Sequence, residues 1–316
     1  MNFKTEIKLP NYPFAISHQD SIVSFGSCFS ENIGAKLKEN KFDVNVNPYG
    51  ILFNPISVTK AIEECIDNKQ YTESDLKENN EIHFSFNHHS KFSGLDKQQV
   101  LDSINNSIAK ANSYLTSAKV LIITFGTAWV YRLKDTNEVV ANCYKLPNSL
   151  FVKELLSVNE ITEEVSKTIK KLKAINPSLK IITTISPVRH WKDGVVENQQ
   201  SKATLHLALK KINESFDDSI YFPSNEIMLD ELRDYRFYAN DMLHPSELAI
   251  DYIWEKFTDS FFSKETKELN KRIAQINREK NHKPFNPESK EFIEFSKQLE
   301  EKENQLYSEF PCLKER

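Results

Sequence analysis

"SIVSFGSCFSENIG", residues 21 to 34, runs an apolar segment straight into Gly26 and Ser27 and then turns at once to helix-forming residues. Ile22, Val23 and Phe25 form a short apolar run closed by a turn residue, which reads as a buried strand. Glycine is scarce: 6 in 316 residues, well below the usual share of about 7%. Gly26 therefore marks a place where the backbone needs positive φ or a close approach from another chain segment. The segment reads as strand, tight turn, helix, with the helix near residues 31–40.

The same grammar repeats downstream. Residues 120–125 and 180–185 are apolar runs of strand length, and 219–222 is a weaker one. Between them lie helical patterns. Asn54 would cap and Pro55 would open a helix carrying Ile56, Ala61, Ile62 and Ile66. Residues 100–115 repeat at three and four, and Ser157 with Glu160 forms a capping box ahead of Ile161, Val165, Ile169 and Leu172. Residues 201–216 and 246–262 supply two more helices, the last with Leu248, Tyr252, Trp254 and Phe257. Strands alternating with helices predict a doubly wound α/β fold, a three-layer α/β/α domain around a central parallel sheet over residues 1–263. The remainder, 264–316, is dense in charge, broken once at Lys283-Pro284, and carries one apolar stripe per half: Leu269, Ile273, Ile276, then Phe292, Phe295, Leu299. It predicts a helical C-terminal extension, folded back on the domain or available for self-association.

The totals exclude several classes. With 41 Lys and Arg against 45 Asp and Glu, the net charge of -4 argues against nucleic acid as a partner. No run is long and apolar enough for a membrane span or a signal peptide, so a cytoplasmic location with no membrane partner is the expectation. Cys28, Cys65, Cys143 and Cys312 are scattered, which suggests neither a zinc site nor a disulfide framework. His83, His88 and His89 have no carboxylate or cysteine company, so no metal and no cofactor is expected.

In open α/β sheets the loops at the carboxyl ends of the strands hold the site, and the unusual residues gather there. Ser27 follows the first strand, where a helix N-terminus would stabilise a developing oxyanion; taken alone it is equally a turn residue, with Ser27 or Ser30 as N-cap. "NDMLHPSE" sets Asp241 three residues before His244, so a carboxylate can fix one imidazole nitrogen and leave the other as a base. Asp closing its own turn is the alternative for that stretch. Gly50 in "NPYGILFNP" and Gly126 in "FGTAW" could present bare N–H groups to a pocket. Arg189 and His190 follow the third strand, where Arg offers a fork for carboxylate or phosphate, or a surface salt bridge. Cys28 is a second candidate nucleophile, but adjacent turn residues point apart, so at most one of the two faces the pocket.

The run Gly26-Ser27-Cys28-Phe29-Ser30 resembles the motif that gives the GSCFA family its name, and "NPYGILFNP", "HFSFNHHSKFSG", "FGTAWVY", "SPVRHWKDG" and "DMLHPS" extend the resemblance over roughly residues 20–260. That family is similar to the SGNH, or GDSL-like, serine hydrolases, whose sheet is flavodoxin-like. The resemblance implies a catalytic triad of Ser27, His244 and Asp241, with an oxyanion hole drawn from Ser27, Gly50, Gly126 and Thr127. Asn54, His88, His89, Arg189 and His190 are the candidates for a substrate pocket. The Asn that SGNH enzymes use as third oxyanion donor is missing: Gly126-Thr127-Ala128-Trp129 stands in its place. The implied activity is that of an esterase removing a small acyl group, with a small-molecule or carbohydrate ester as partner. Acyl transfer through the same residues, or a non-catalytic ligand- or protein-binding module, are the alternatives.

Overall fold

The computed structural model describes residues 5–282, 286, 288–314 and 316. Five parallel strands form the central sheet: β1 (Ser21–Gly26), β2 (Asp43–Val46), β3 (Val120–Phe125), β4 (Lys180–Ile185) and β5 (Ser219–Tyr221), side by side in the order β5-β4-β3-β1-β2. This is a doubly wound sheet whose order reverses between β1 and β3, the place where such folds open a crevice.

The helices follow from their signals. α1 (Cys28–Glu39) leaves the Gly26-Ser27 turn. α2 (Pro55–Ile66) starts on the Asn54 cap, whose Oδ1 accepts from Ser57 N at 2.8 Å. α3 (Lys97–Ser117) precedes β3, and α4 (Val158–Ile175) carries the Ser157–Glu160 capping box. α5 (Val195–Ser215) and α6 (Glu247–Phe261) complete the layers. Inward residues alternate along the strands. Val23, Phe25, Leu121, Ile123 and Ile181 pack with Ile62, Ile104, Ile169 and Leu209 on one face. Ile22, Val120, Ile122 and Ile182 pack with Phe29, Ile33, Ile253 and Phe257 on the other. In α6 the buried stripe is Ala249, Ile253, Phe257 and Phe261; Leu248, expected to point inward, is 58% exposed.

Two additions were not signalled. A short hairpin pairs 77–79 with 82–84, and a three-stranded antiparallel sheet joins Trp129–Leu133 to Val139–Val140 and Phe151–Leu155. After Ser263, α7 (Lys264–Lys280) and α8 (Lys290–Glu309) bury Leu269, Ile273, Ile276, Leu306 and Leu313 against each other. They also fold back on the domain: Thr266 Oγ1 donates to Ile16 O at 3.2 Å and Asn277 Nδ2 to Glu39 O at 2.9 Å. The expected break at Lys283-Pro284 lies outside the described residues. No helix among the described residues is long and apolar enough to cross a membrane.

The glycine of the opening segment is explained by β3. Gly26 has φ +142°, and a Cβ built on it would lie 2.1 Å from the Thr124 carbonyl oxygen. Both the dihedral and the contact with backbone exclude a side chain. Gly26→Ala is predicted to destabilise the protein by at least about 3 kcal/mol, measured by urea unfolding; a loss below about 1 kcal/mol would contradict the close approach.

Candidate active site

Four loops meet above the carboxyl ends of β1, β3 and β4. In the first, Ser27 is the N-cap of α1: its Oγ accepts from Phe29 N at 3.3 Å and its own N–H donates to Thr124 O at 3.1 Å. Ser27 is fully buried, and no hydrogen bond links it to His244. Its neighbour Cys28 is half-buried, and burial raises its thiol pKa, which disfavours a thiolate.

The loop before α6 builds the second component. Asp241 Oδ1 accepts from the main-chain N–H of Leu243 and of His244, each at 2.9 Å, and its Oδ2 lies 2.6 Å from His244 Nδ1. These three hydrogen bonds hold the Asp241 carboxyl down at about 2. The carboxylate thus accepts the Nδ1 proton, and Nε2 is left without a protein partner, in a ring about half exposed.

The loop after β4 contributes His190. Its ring stands edge-on to Phe53 at 5.1 Å, and a Cβ on Gly126 would fall 2.9 Å from its Nε2. That nitrogen is buried and has no partner. Burial, reinforced by Lys202 and His244, pushes the imidazole down to about 3, so it is neutral at ordinary pH and carries a single N–H. Beneath it lies Lys202 of α5, 5% exposed, whose Nζ donates to Gly126 O at 2.8 Å and Ser186 O at 2.7 Å, joining the ends of β3 and β4. Burial, with Arg189 adding repulsion, lowers the ammonium to about 7. Lys202 acts on both Cys28 and His190, so the β1 turn and the His244 loop share one electrostatic neighbourhood. The sequence reading missed Lys202. The signal was its place in the buried stripe Asn198, Lys202, Leu205, Leu209, where a lysine is out of character.

The remaining expected residues are placed differently. Gly50 N donates to Asn47 O at 2.8 Å, and Gly126 N and Thr127 N donate to Phe53 O at 2.7 and 3.1 Å. Thr127 Oγ1 lies 3.0 Å from Ser201 Oγ. The N–H donors expected for the oxyanion hole are therefore engaged within the fold. Asn54 spends its amide on Ser57 and caps α2. His88 is fully buried, stacked on Tyr49 at 4.1 Å and edge-on to Tyr71 at 5.0 Å. His89 packs its Cβ on Gly50 and accepts from Lys91 N at 3.3 Å. Arg189 lines a cavity of about 590 Å³ beside Asp241. Among the described residues, no group of three or more His, Cys, Asp or Glu is placed to hold a metal ion.

The lowered Lys202 gives a pH signature. Between about pH 7 and its unfolded value, the unfolded chain holds a proton that the folded chain lacks, so stability rises with pH. The stability of the wild type minus that of Lys202→Met is predicted to climb through this window, by at most about 1.4 kcal/mol per pH unit. Urea unfolding between pH 6.5 and 9 reads it, and a difference that stays flat or falls would contradict a depressed lysine.

Comparison with solved structures finds three from bacteria that illustrate the likeness. A Bacteroides fragilis structure described as a candidate acylhydrolase aligns at 10% identity and TM-score 0.41, covering 83% of this chain and 91% of its own. A Clostridium thermocellum family 3 carbohydrate esterase aligns at 14% identity and TM-score 0.34, covering 76% and 95%. An acetyl xylan esterase from Butyrivibrio proteoclasticus aligns at 10% identity and TM-score 0.39, covering 80% and 64%. No curated protein sequence matches the chain significantly. The GSCFA family model matches residues 21–257, and the model of the GSCFA domain protein C-terminal domain matches residues 273–316. Spanning the Gly26-Ser27 turn, Lys202 and the Asp241–His244 pair, that first match covers most of the sequence, and the chain belongs to the GSCFA family.

Proposed function

We propose that this end of the sheet is the active site of an ester hydrolase, with Ser27 as nucleophile, His244 as general base and Asp241 as the carboxylate that orients it. The observation that carries the reading is the Asp241–His244 pair: three hydrogen bonds to one carboxylate fix the ring and leave Nε2 free to take a proton. A turn that needed only to close itself would not require the 2.6 Å contact to Nδ1.

In the proposed reaction, Ser27 Oγ attacks the ester carbonyl as its proton passes to His244 Nε2. The same proton then goes to the departing alcohol. Water, deprotonated by His244, attacks the acyl-serine and releases the acid. Transfer of the acyl group to another alcohol would use the same residues. Ser27 must first leave a cap bond that is long at 3.3 Å and therefore weak. Residues 50–53 are tied to this turn by the 2.9 Å bond from Leu52 N to Gly26 O. Displacing them would uncover the serine and release the Gly126 and Thr127 N–H groups from Phe53 O in one movement. With its proton on Nε2, His190, beside Gly126, would serve as a neutral donor where the SGNH asparagine is missing.

One observation favours the rival, a non-catalytic binding module: Ser27 is 0% exposed and bonded as a helix cap. A fluorophosphonate probe separates the two. The hydrolase reading predicts labelling of the wild type, none of Ser27→Ala, and a fall of roughly 10²- to 10⁴-fold in turnover of short-chain nitrophenyl esters for His244→Ala and Asp241→Asn. No labelling and no turnover in the wild type would favour the binding module. His190→Phe is predicted to lower kcat by roughly 10²- to 10³-fold with little change in KM, and His190→Gln, which keeps a donor, to lose less.

A further inference from the structure

Resting on the hydrolase reading for its reaction, but not for its binding, a further feature defines the substrate. The cavity of about 590 Å³ beside Asp241 is walled by Trp191, Tyr235, Tyr238 and Met242 together with Arg189 and Arg233. Its size suits a small molecule. Trp191 is 50% exposed and Tyr235 76% exposed, and both line the cavity.

Two arginines and two aspartates line the cavity: Asp234 pairs with Arg236 at 2.9 Å, and Asp241, bonded to the His244 imidazole at 2.6 Å, keeps its negative charge. Among the other described arginines, Arg132, Arg236, Arg272 and Arg316 each lie within 4.0 Å of a carboxylate, and Arg278 on α7 does not. Arg189 differs, since its one contact among the described residues is with the Trp191 ring, 5.7 Å from guanidinium carbon to centroid, and no carboxylate or carbonyl takes its five donors. Arg233 meets only a carbonyl, Asp230 O at 3.0 Å, and the Thr5 hydroxyl at 2.9 Å. Lys202 lies close enough for its ammonium to be lowered by Arg189. Among the described residues, Arg189 and Arg233 thus reach one concave wall with no carboxylate at ion-pair distance from either guanidinium.

We propose that this cavity binds an oxyanion, carboxylate or phosphate, carried by the substrate beside its scissile ester, with the Arg189 guanidinium as the bidentate contact and a ring of the substrate lying against Trp191. A guanidinium fork fits either anion, and loss of such a contact reads as a roughly 10- to 100-fold drop in affinity.

Calorimetric titration with glucuronate, glucose 6-phosphate and glucose tests binding, and the 3-O-acetyl esters of the same three, followed by acetate release, test turnover. The wild type should bind one or both anions at least roughly 10-fold more tightly than glucose; which of the two binds identifies carboxylate or phosphate. Arg189→Met should bring the anion-to-neutral ratio close to one, Arg189→Lys should restore part of it, and Arg278→Met, which removes the same charge from α7, should leave it unchanged. Equal wild-type binding of all three sugars, or an unchanged ratio in Arg189→Met, overturns the proposal. Anion-selective binding without acetate release upholds it while removing the hydrolase reading.

Discussion

The contact on which the rest of the structure depends is the approach of Gly26 to the Thr124 carbonyl at the top of β1 and β3. It fixes the strand end at φ +142° and lets Ser27 N donate to that carbonyl at 3.1 Å, which launches α1 directly from the sheet. From the same turn Gly26 O accepts Leu52 N, tying down the loop after β2, and Phe53 O in turn accepts Gly126 N. One absent Cβ thus sets the spacing of the loops that carry every candidate group. The arrangement is held by these backbone hydrogen bonds.

The second organising feature is how charge is disposed around that crevice. Asp241 is saturated by three donors, Lys202 by two carbonyls, and His190 is kept neutral by burial. Lys202, held by the two carbonyls under the ends of β3 and β4, is lowered to about 7, so its positive charge beneath the site is present below that pH and lost above it. Against this background the Arg189 guanidinium, on the cavity wall, has no carboxylate or carbonyl partner among the described residues. In the proposed reading that guanidinium would meet an anion and His244 Nε2 would act as the base.

Much of the fold was legible because β1, β3 and β4 are covered on both faces and read as continuous apolar runs, and because Asn54, Ser157 and Glu160 are local helix signals. β2 was not, since "DVNV" is an edge strand whose Asp43 is bonded to Ser21 Oγ at 2.5 Å, a polar partnership invisible before the strands are paired. The antiparallel sheet around Trp129–Leu133 escaped for a related reason: with Val152 48% exposed, its hydrophobic alternation is broken. In the site, the Asp241–His244 pair was readable because its geometry is confined to four residues. The His190–Gly126 contact, the Lys202 bridge and the engagement of the Gly50 and Gly126 N–H groups depend on loops distant in sequence, and spacing carries no trace of them. Of the two readings of Ser27, the structure shows the helix cap; the nucleophile belongs to the proposed function.

The most direct measurement of the central claim is acid-quenched acyl trapping: mix the protein with 4-nitrophenyl acetate, stop within seconds, and map the added acetyl group by peptide mass spectrometry. The account predicts acetyl on the peptide containing Ser27, at the serine and not at Cys28, and its loss in Ser27→Ala. An acetyl group at Cys28 or elsewhere, or no adduct under conditions where ester is consumed, would contradict it.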